Sequence, residues 1–289
     1  MRTYLEGFYG APGGVDFTFL EKQDYILVEC AECGLVFQRE VPDYALLIKL
    51  YDEWIDPQWE FEVYERTKSV RYYESLCKEM FILLRAIGVT PSMATVLDFG
   101  MGWGDWCRIM KSFGCHVCGT ELSSVRIEHA ARFGVEVVRF EDLKQCQFDI
   151  INVEQVLEHV THPKDILSSL AAVLKKGGIL KVSVPNGWDI RDRLAFGDWG
   201  APKGSGDSLN AVAPLEHINC FNYHSLVRLA NESGLEEIYP EGPYQEPPLE
   251  VIRQILRPFW RKLNGRKTMF KYRDTRLYFR KKSPTDEGI

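Results

Sequence analysis

The run Asp98-Phe99-Gly100-Met101-Gly102-Trp103-Gly104 places a carboxylate just ahead of three alternating glycines. Glycine lets a backbone turn tightly and approach a ligand that a Cβ would push away. Dinucleotide sites use the spacing G-x-G-x-x-G and hold a pyrophosphate on the N-terminus of the next helix. The spacing here is G-x-G-x-G, and Asp98 would repel a pyrophosphate while attracting a ligand's amino group. A second acid, Glu121, closes the apolar run Val117-Cys118-Gly119-Thr120, where a carboxylate can accept both hydroxyls of a ribose. The combination points to a positively charged nucleoside rather than to a dinucleotide.

These residues need strands to end under them and helices to start after them, and the sequence supplies both. Apolar runs at Thr95–Phe99, Cys115–Thr120, Val135–Arg139, Phe148–Val153 and Ile179–Val184 read as strands. Helical stretches fall between them, one running to about Phe113, one over Ser123–Phe133 and one over Pro163–Lys175, the last stopped by Lys176-Gly177-Gly178. Ahead of them, Val70, Tyr73, Cys77, Met80, Leu84 and Ile87 recur at helical steps within Thr67–Ile87. Behind them come a helix over Tyr223–Ser233, a strand near Glu237–Tyr239, a helix over Leu249–Leu263 and a strand over Thr275–Lys281. Strands alternating with helices make an α/β fold, a mostly parallel sheet with helices on both faces. The expected division is an irregular or helical extension over 1–65 and a domain over 66–289, with a lid-like insertion at 185–216.

The loop, Glu121, the run Phe148-Asp149-Ile150-Ile151-Asn152-Val153-Glu154-Gln155-Val156-Leu157-Glu158-His159-Val160 and Leu174-Lys175-Lys176-Gly177-Gly178 together resemble the class I S-adenosylmethionine (SAM)-dependent methyltransferases. The resemblance runs from about Arg71 to Lys281. It implies a Rossmann-like seven-stranded sheet whose last strand, Thr275–Lys281, is antiparallel and inserted between the fifth and sixth. It also implies that Asp98, Gly100, Gly102 and Gly104 hold the methionine moiety, Glu121 the ribose, Glu141 within Phe140–Asp142 the adenine side, and Glu154 and Gln155 the border with the acceptor.

Methyl transfer from a sulfonium is an in-line displacement, so alignment supplies much of the acceleration, and a hydroxyl or carbon acceptor also needs a base. Of the six histidines, His116 and His129 fall mid-strand and mid-helix and read as structural, as do His159 and His162. His217, in Pro214-Leu215-Glu216-His217-Ile218, follows the insertion, where loops carry function. The segment resembles the Glu-His element of sugar C-methyltransferases, which implies His217 as base with Glu216 orienting it. The alternative is a histidine that pins the insertion in place.

Cys30-x-x-Cys33-Gly34 resembles a zinc knuckle found ahead of related methyltransferase domains. A structural zinc needs four ligands, and residues 1–29 contain no Cys or His, so a retained turn without metal is expected. Eight cysteines with no apolar export signal at the start read as reduced thiols, and no apolar run is long enough to span a membrane, so the cytoplasm is expected. Net charge is −6, yet Val251–Lys282 holds twelve Lys or Arg against the single acid Asp274. Three uses compete for this 249–282 region: a basic rim on a packed helix, a peripheral membrane or lipid-linked anionic contact, or an anionic substrate or RNA. No aromatic-plus-glycine RNA motif accompanies it. The expected activity is SAM-dependent methylation of a small molecule, a sugar or sugar nucleotide among them. The competing expectations are a non-catalytic SAM-binding module acting through the basic surface, and an RNA methyltransferase.

Overall fold

The computed structural model describes residues 4–6, 14–21, 24–240 and 274–282. In chain order the strands are β1 (Leu27–Glu29), β2 (Val36–Gln38), β3 (Thr95–Phe99), β4 (His116–Thr120), β5 (Glu136–Val137), β6 (Phe148–Glu154), β7 (Leu174–Val184), β8 (Asn219–Cys220), β9 (Leu235–Ile238) and β10 (Thr275–Lys281). The α-helices are α1 (Tyr44–Ile48), α2 (Pro57–Thr67), α3 (Val70–Ile87), α4 (Asp105–Ser112), α5 (Ser124–Ala131), α6 (Pro163–Val173), α7 (Ile190–Phe196) and α8 (Tyr223–Glu232).

The described chain divides into two compact units. One holds Val63–Val184, Tyr223–Gly242 and the C-terminal strand; the other holds Met1–Glu62 with Pro185–Asn222. The sequence suggests a boundary near residue 65 and an insertion belonging to the larger domain. The observed grouping instead puts the insertion with the N-terminal segment.

The larger unit is built on a seven-stranded sheet of order β5-β4-β3-β6-β7-β10-β9. The first five of these strands run parallel, while β10 pairs antiparallel with both β7 and β9. The inserted antiparallel strand is the arrangement that the family resemblance implies. Helix α3 starts at Ser69, whose hydroxyl accepts the Tyr72 N–H, and ends at Gly88, in the left-handed conformation that glycine adopts at least cost. Its Met80, Leu83 and Leu84 recur at three- and one-residue steps and pack with Trp106 and Met110 of α4 against Val96, Ile150 and Ile179 of the sheet.

Two expectations shift. The helix expected to reach Lys175 ends at Val173, and Leu174 is already extended and paired with Phe148. The Lys175-Lys176-Gly177-Gly178 run therefore lies within β7 at a register irregularity rather than capping a helix. A Cβ on Gly178 would lie 2.9 Å from the Asp149 carbonyl oxygen, so close packing of strands, not helix termination, accounts for that glycine. The third expected strand is reduced to Glu136–Val137. The helix expected over Leu249–Leu263 lies outside the described residues.

The smaller unit is not irregular. A β1–β2 hairpin, extended by β8, makes a three-stranded antiparallel sheet. Tyr4, Leu5, Leu50, Trp54 and Ala213 form one buried cluster. Val36, Ile190, Leu209, Ala211, Val212 and Cys220 form another. The Gln38 amide donates to the carbonyls of Ala213 and His217, and the Tyr25 hydroxyl donates to that of Val212.

Candidate active site

At the end of β3 the chain leaves the sheet through the glycine loop. The N–H groups of Gly100 and Met101 both bond to the Thr120 carbonyl, and Gly100 N–H also reaches the Thr120 hydroxyl. The loop is thus tied to the end of β4. Gly100 and Gly102 have φ of 76° and 54°, in the region that favours glycine. They differ in surroundings. A Cβ on Gly100 would lie 2.5 Å from the Val156 side chain, whereas one on Gly102 would meet nothing within 4 Å. Gly100 is needed for packing, and Gly102 faces open space. Trp103, bulky for such a loop, turns its ring edge-on to His129 of α5 at 5.3 Å, with its carbonyl 3.1 Å from His129 Nδ1. Its bulk is absorbed by the helix.

The Glu121 carboxylate gathers three backbone N–H groups, those of Gly102, Leu122 and Ser123. It joins the loop to the end of β4. Asp98 is buried, accepting the Asn152 amide at 2.7 Å and the Cys107 thiol at 3.6 Å. Burial pushes its carboxyl up to about 7, against the opposing pull of the Asn152 hydrogen bond and the Lys181 charge. Glu141 is exposed and pairs with Arg139 in the short helix Phe140–Gln145; the neighbouring Phe140 ring stacks edge-on to Phe99.

Glu154 ends β6 one step beyond Val153, which pairs with Phe99, so it stands level with Gly100. Gln155 follows with φ 54°, a conformation a non-glycine residue adopts only when its surroundings impose it. Its N–H is anchored to the Ser183 carbonyl, while its side-chain Nε2 is buried with no hydrogen-bond partner among the described residues. Strain and an orphaned buried donor at the carboxyl end of a parallel sheet, beside an open glycine cradle, are the features of a ligand site there.

Asp98 and Glu154, both expected at the site, belong to a polar row whose other members the sequence did not single out. Asp98, Asn152 and Lys181 are register partners across β3, β6 and β7, Glu154 pairs with Ser183, and Ser183 and Lys181 pair with Arg276 and Tyr278 of β10. Register partners share a sheet face, so one face turns from Val96, Ile150 and Ile179 to a polar row two residues further on. The signal was present as alternate-position polar residues in otherwise apolar strands. Glu79 of α3 enters the same row: its Oε1 lies 2.7 Å from Lys181 Nζ and its Oε2 2.7 Å from Arg276.

Asp105, the first residue of α4, is the hub of a second polar cluster. Lys68 lies 2.8 Å away, the Tyr64 hydroxyl donates to it at 3.0 Å, and Arg108 reaches its other oxygen at 3.1 Å. Burial and the hydrogen bonds to Tyr72 and Asp105 push the Tyr64 phenol far up.

His217 and Glu216 belong to the smaller unit. His217 is buried, its Nδ1 beside the Asn210 carbonyl oxygen. A carbonyl can only accept, so Nδ1 carries the hydrogen. Burial first, and the negative charge of Glu216 second, push the Tyr4 hydroxyl up. The ring is therefore oriented at Nδ1 by Asn210, a backbone contact that residue types cannot reveal. In the hairpin, the N–H groups of Cys33 and Glu32 point at the Cys30 sulfur and lower its thiol below the ordinary range. The knuckle turn is kept.

Residues 70–239 match a family model described as a methyltransferase domain. A ubiquinone biosynthesis O-methyltransferase of Thiobacillus denitrificans is 26% identical over 74% of this chain and 91% of its own length. A protein of the same name from Histophilus somni is 29% identical over 62% of this chain and 80% of its own. Among solved structures, a SAM-dependent methyltransferase from Archaeoglobus fulgidus aligns with a TM-score of 0.48 at 19% identity, covering 78% of this chain and all of its own.

Proposed function

The chain belongs to the methyltransferase-domain family and is a SAM-dependent enzyme; from that premise we propose that it methylates a hydroxyl of a small molecule, with a sugar or sugar nucleotide as the leading class. The observation that carries the cofactor assignment is the open space over Gly102, whose N–H is held by Glu121, beside a strained Gln155 with an orphaned donor. Gly100, Gly102 and Gly104 would line the methionine moiety, Glu121 the ribose, and Glu141 the adenine side. Glu154 and Gln155 would face the methyl-bearing end. Asp98 would act on the methionine end through the loop and Asn152. When bound, SAM supplies an activated methyl group on a positively charged sulfur.

The chain's own tasks are to align the acceptor and to take its proton. His217 supports the second, because Asn210 holds the tautomer whose Nε2 can accept. Glu216 is proposed to set the charge around it, as its effect on Tyr4 supports. The small-molecule class is supported by the relatives' names, which specify O-methylation in ubiquinone biosynthesis. The sugar class is supported by the Glu216-His217 segment alone.

The test is incubation of the purified protein with isotopically labelled SAM and separate pools of cell metabolites and RNA. Label appearing in a small polar metabolite, and lost in His217→Gln, is the expected result. Label in RNA only, or full turnover by His217→Gln, overturns the acceptor or the base assignment respectively.

A further inference from the structure

Lys181 is an anomaly in its strand. It lies between Leu180 and Val182 in the middle of β7, almost wholly buried. Moving an ammonium out of water to that depth is strongly unfavourable unless carboxylates compensate it. Two do: Glu79 from α3 at 2.7 Å, and Glu154 from the end of β6 in direct contact with the same nitrogen. Arg276 takes the other oxygen of Glu79, and the Trp106 indole donates to the first at 3.3 Å. Glu79 is thus held by three donors and has little left to offer a ligand. Glu154 differs. Its side chain keeps 35% exposure, and it stands at the carboxyl edge, level with the first loop glycine.

Resting on the cofactor assignment above, we infer that Lys181 is a positioning residue that holds Glu154 as a charged carboxylate at this edge, so that the site favours the positively charged methyl donor over its neutral demethylated product. Donor and product differ by one methyl and one positive charge on sulfur, and a fixed carboxylate is the group that discriminates by charge. Burial alone would push the Glu154 carboxyl up, but Lys181 and Arg276 outweigh it and hold it down. Burial would push the Lys181 ammonium down, and Glu154 and Glu79 outweigh it in turn. Lysine rather than a neutral residue is what the geometry calls for. Without it, Glu154 would keep only Arg276 to oppose the effect of burial, and its charged form would be less favoured.

A purely structural network would predict something else: that any break destabilises the domain without altering selectivity. Calorimetric titration of the full chain with SAM and with S-adenosylhomocysteine separates the two. Glu154→Gln, at a partly exposed position, keeps shape and loses charge. Its preference for SAM over S-adenosylhomocysteine is expected to fall about tenfold relative to the unmodified chain, mostly through weaker SAM binding. Lys181→Met is expected to move the ratio the same way, because Glu154 then has only Arg276 to hold its charge. Glu79→Gln leaves Lys181 entirely to Glu154, and is expected to lower the melting temperature while keeping the ratio within about twofold. If Glu154→Gln keeps the ratio within that same margin, or Glu79→Gln shifts it as far, the inference is overturned. If the unmodified chain binds neither compound, the cofactor assignment itself falls. If Lys181→Met does not fold, Glu154→Gln still decides.

Discussion

At the residue scale, the glycine loop shows that two glycines of one motif carry different loads. Gly100 has no room for a Cβ, so Gly100→Ala is a fold mutation. Gly102 has room, and an alanine there accepts a left-handed φ of 54° at a cost of about 1–2 kcal/mol. Its methyl would enter the space the ligand needs. Gly102→Ala is therefore expected to melt within a few degrees of the unmodified chain while losing at least about tenfold in S-adenosylhomocysteine affinity. Equal affinity would remove the cradle from the cofactor assignment. Asp98 gives a second prediction, with a defined sign. Its carboxyl holds a proton up to about 7 in the folded chain, against an ordinary 3.8, so the folded state binds more protons between those values. Stability then falls as pH climbs through that window. Asp98→Asn cannot ionise, so its melting temperature is expected to exceed that of the unmodified chain by a margin that grows from about pH 4 to about pH 7 and then levels off. Parallel melting curves across the window would count against the buried carboxyl.

At the scale of elements, the strands and helices of the larger unit were legible because periodicity records burial. Val96, Ile150 and Ile179 alternate with residues facing the other side, and α3 repeats at helical steps. The acid-and-glycine pattern at β3 and Glu121 was legible because those residue types have few other uses at a strand end. What periodicity could not show is which strand lies beside which residue pair. The polar row through Asp98, Asn152, Lys181 and Ser183 exists only once β3, β6, β7 and β10 are in register, and Glu79 joins it from a helix 102 residues away in sequence from Lys181. The Asp105 hub was invisible for the same reason, since its lysine and tyrosine come from the end of α2 and the turn after it. Lys68 and Asp105 are both nearly fully buried, at 6% and 3% side-chain exposure. Burial would push the Lys68 ammonium down, but its hydrogen bonds to Asp105 and Glu65 more than reverse this. Lys68→Met leaves Asp105 to Arg108 and Tyr64, and breaking a buried pair in this way is expected to cost roughly 3 kcal/mol. A lower urea midpoint at unchanged slope would show it; a midpoint that does not move would mean the pair contributes nothing net.

At the scale of the whole molecule, the basic segment and the insertion are the parts to which placement adds most beyond composition. Four of the twelve cations in Val251–Lys282 lie in the described part, and each serves the fold: Arg276 holds Glu79, Arg280 donates to the Ala86 carbonyl, Lys281 to those of Ala172 and Leu174, and Lys282 to that of Asn231. A charge count reads them as free surface charge, whereas each is tied to a carboxylate or a backbone carbonyl of the larger unit. No helix among the described residues is long and apolar enough to cross a membrane. The insertion reads as a lid because glycine, aspartate and proline dominate it, yet Pro185–Asn222 shares its clusters and hydrogen bonds with Met1–Glu62. Gln38 is the clearest joint. Its buried amide donates to the carbonyls of Ala213 and His217, its backbone N–H donates to that of Ile218, and the adjacent β2–β8 pairing continues the link. Gln38→Ala leaves two buried carbonyls without these donors, at about 1–3 kcal/mol. If the two segments form one cooperative body, that loss is felt on both sides of the joint. Amide exchange is expected to rise together in the β1–β2 hairpin and in residues 210–220, by the same factor, because both open in one event. A rise confined to residues 210–220 would mean that the insertion opens alone, and that the smaller unit is two bodies rather than one.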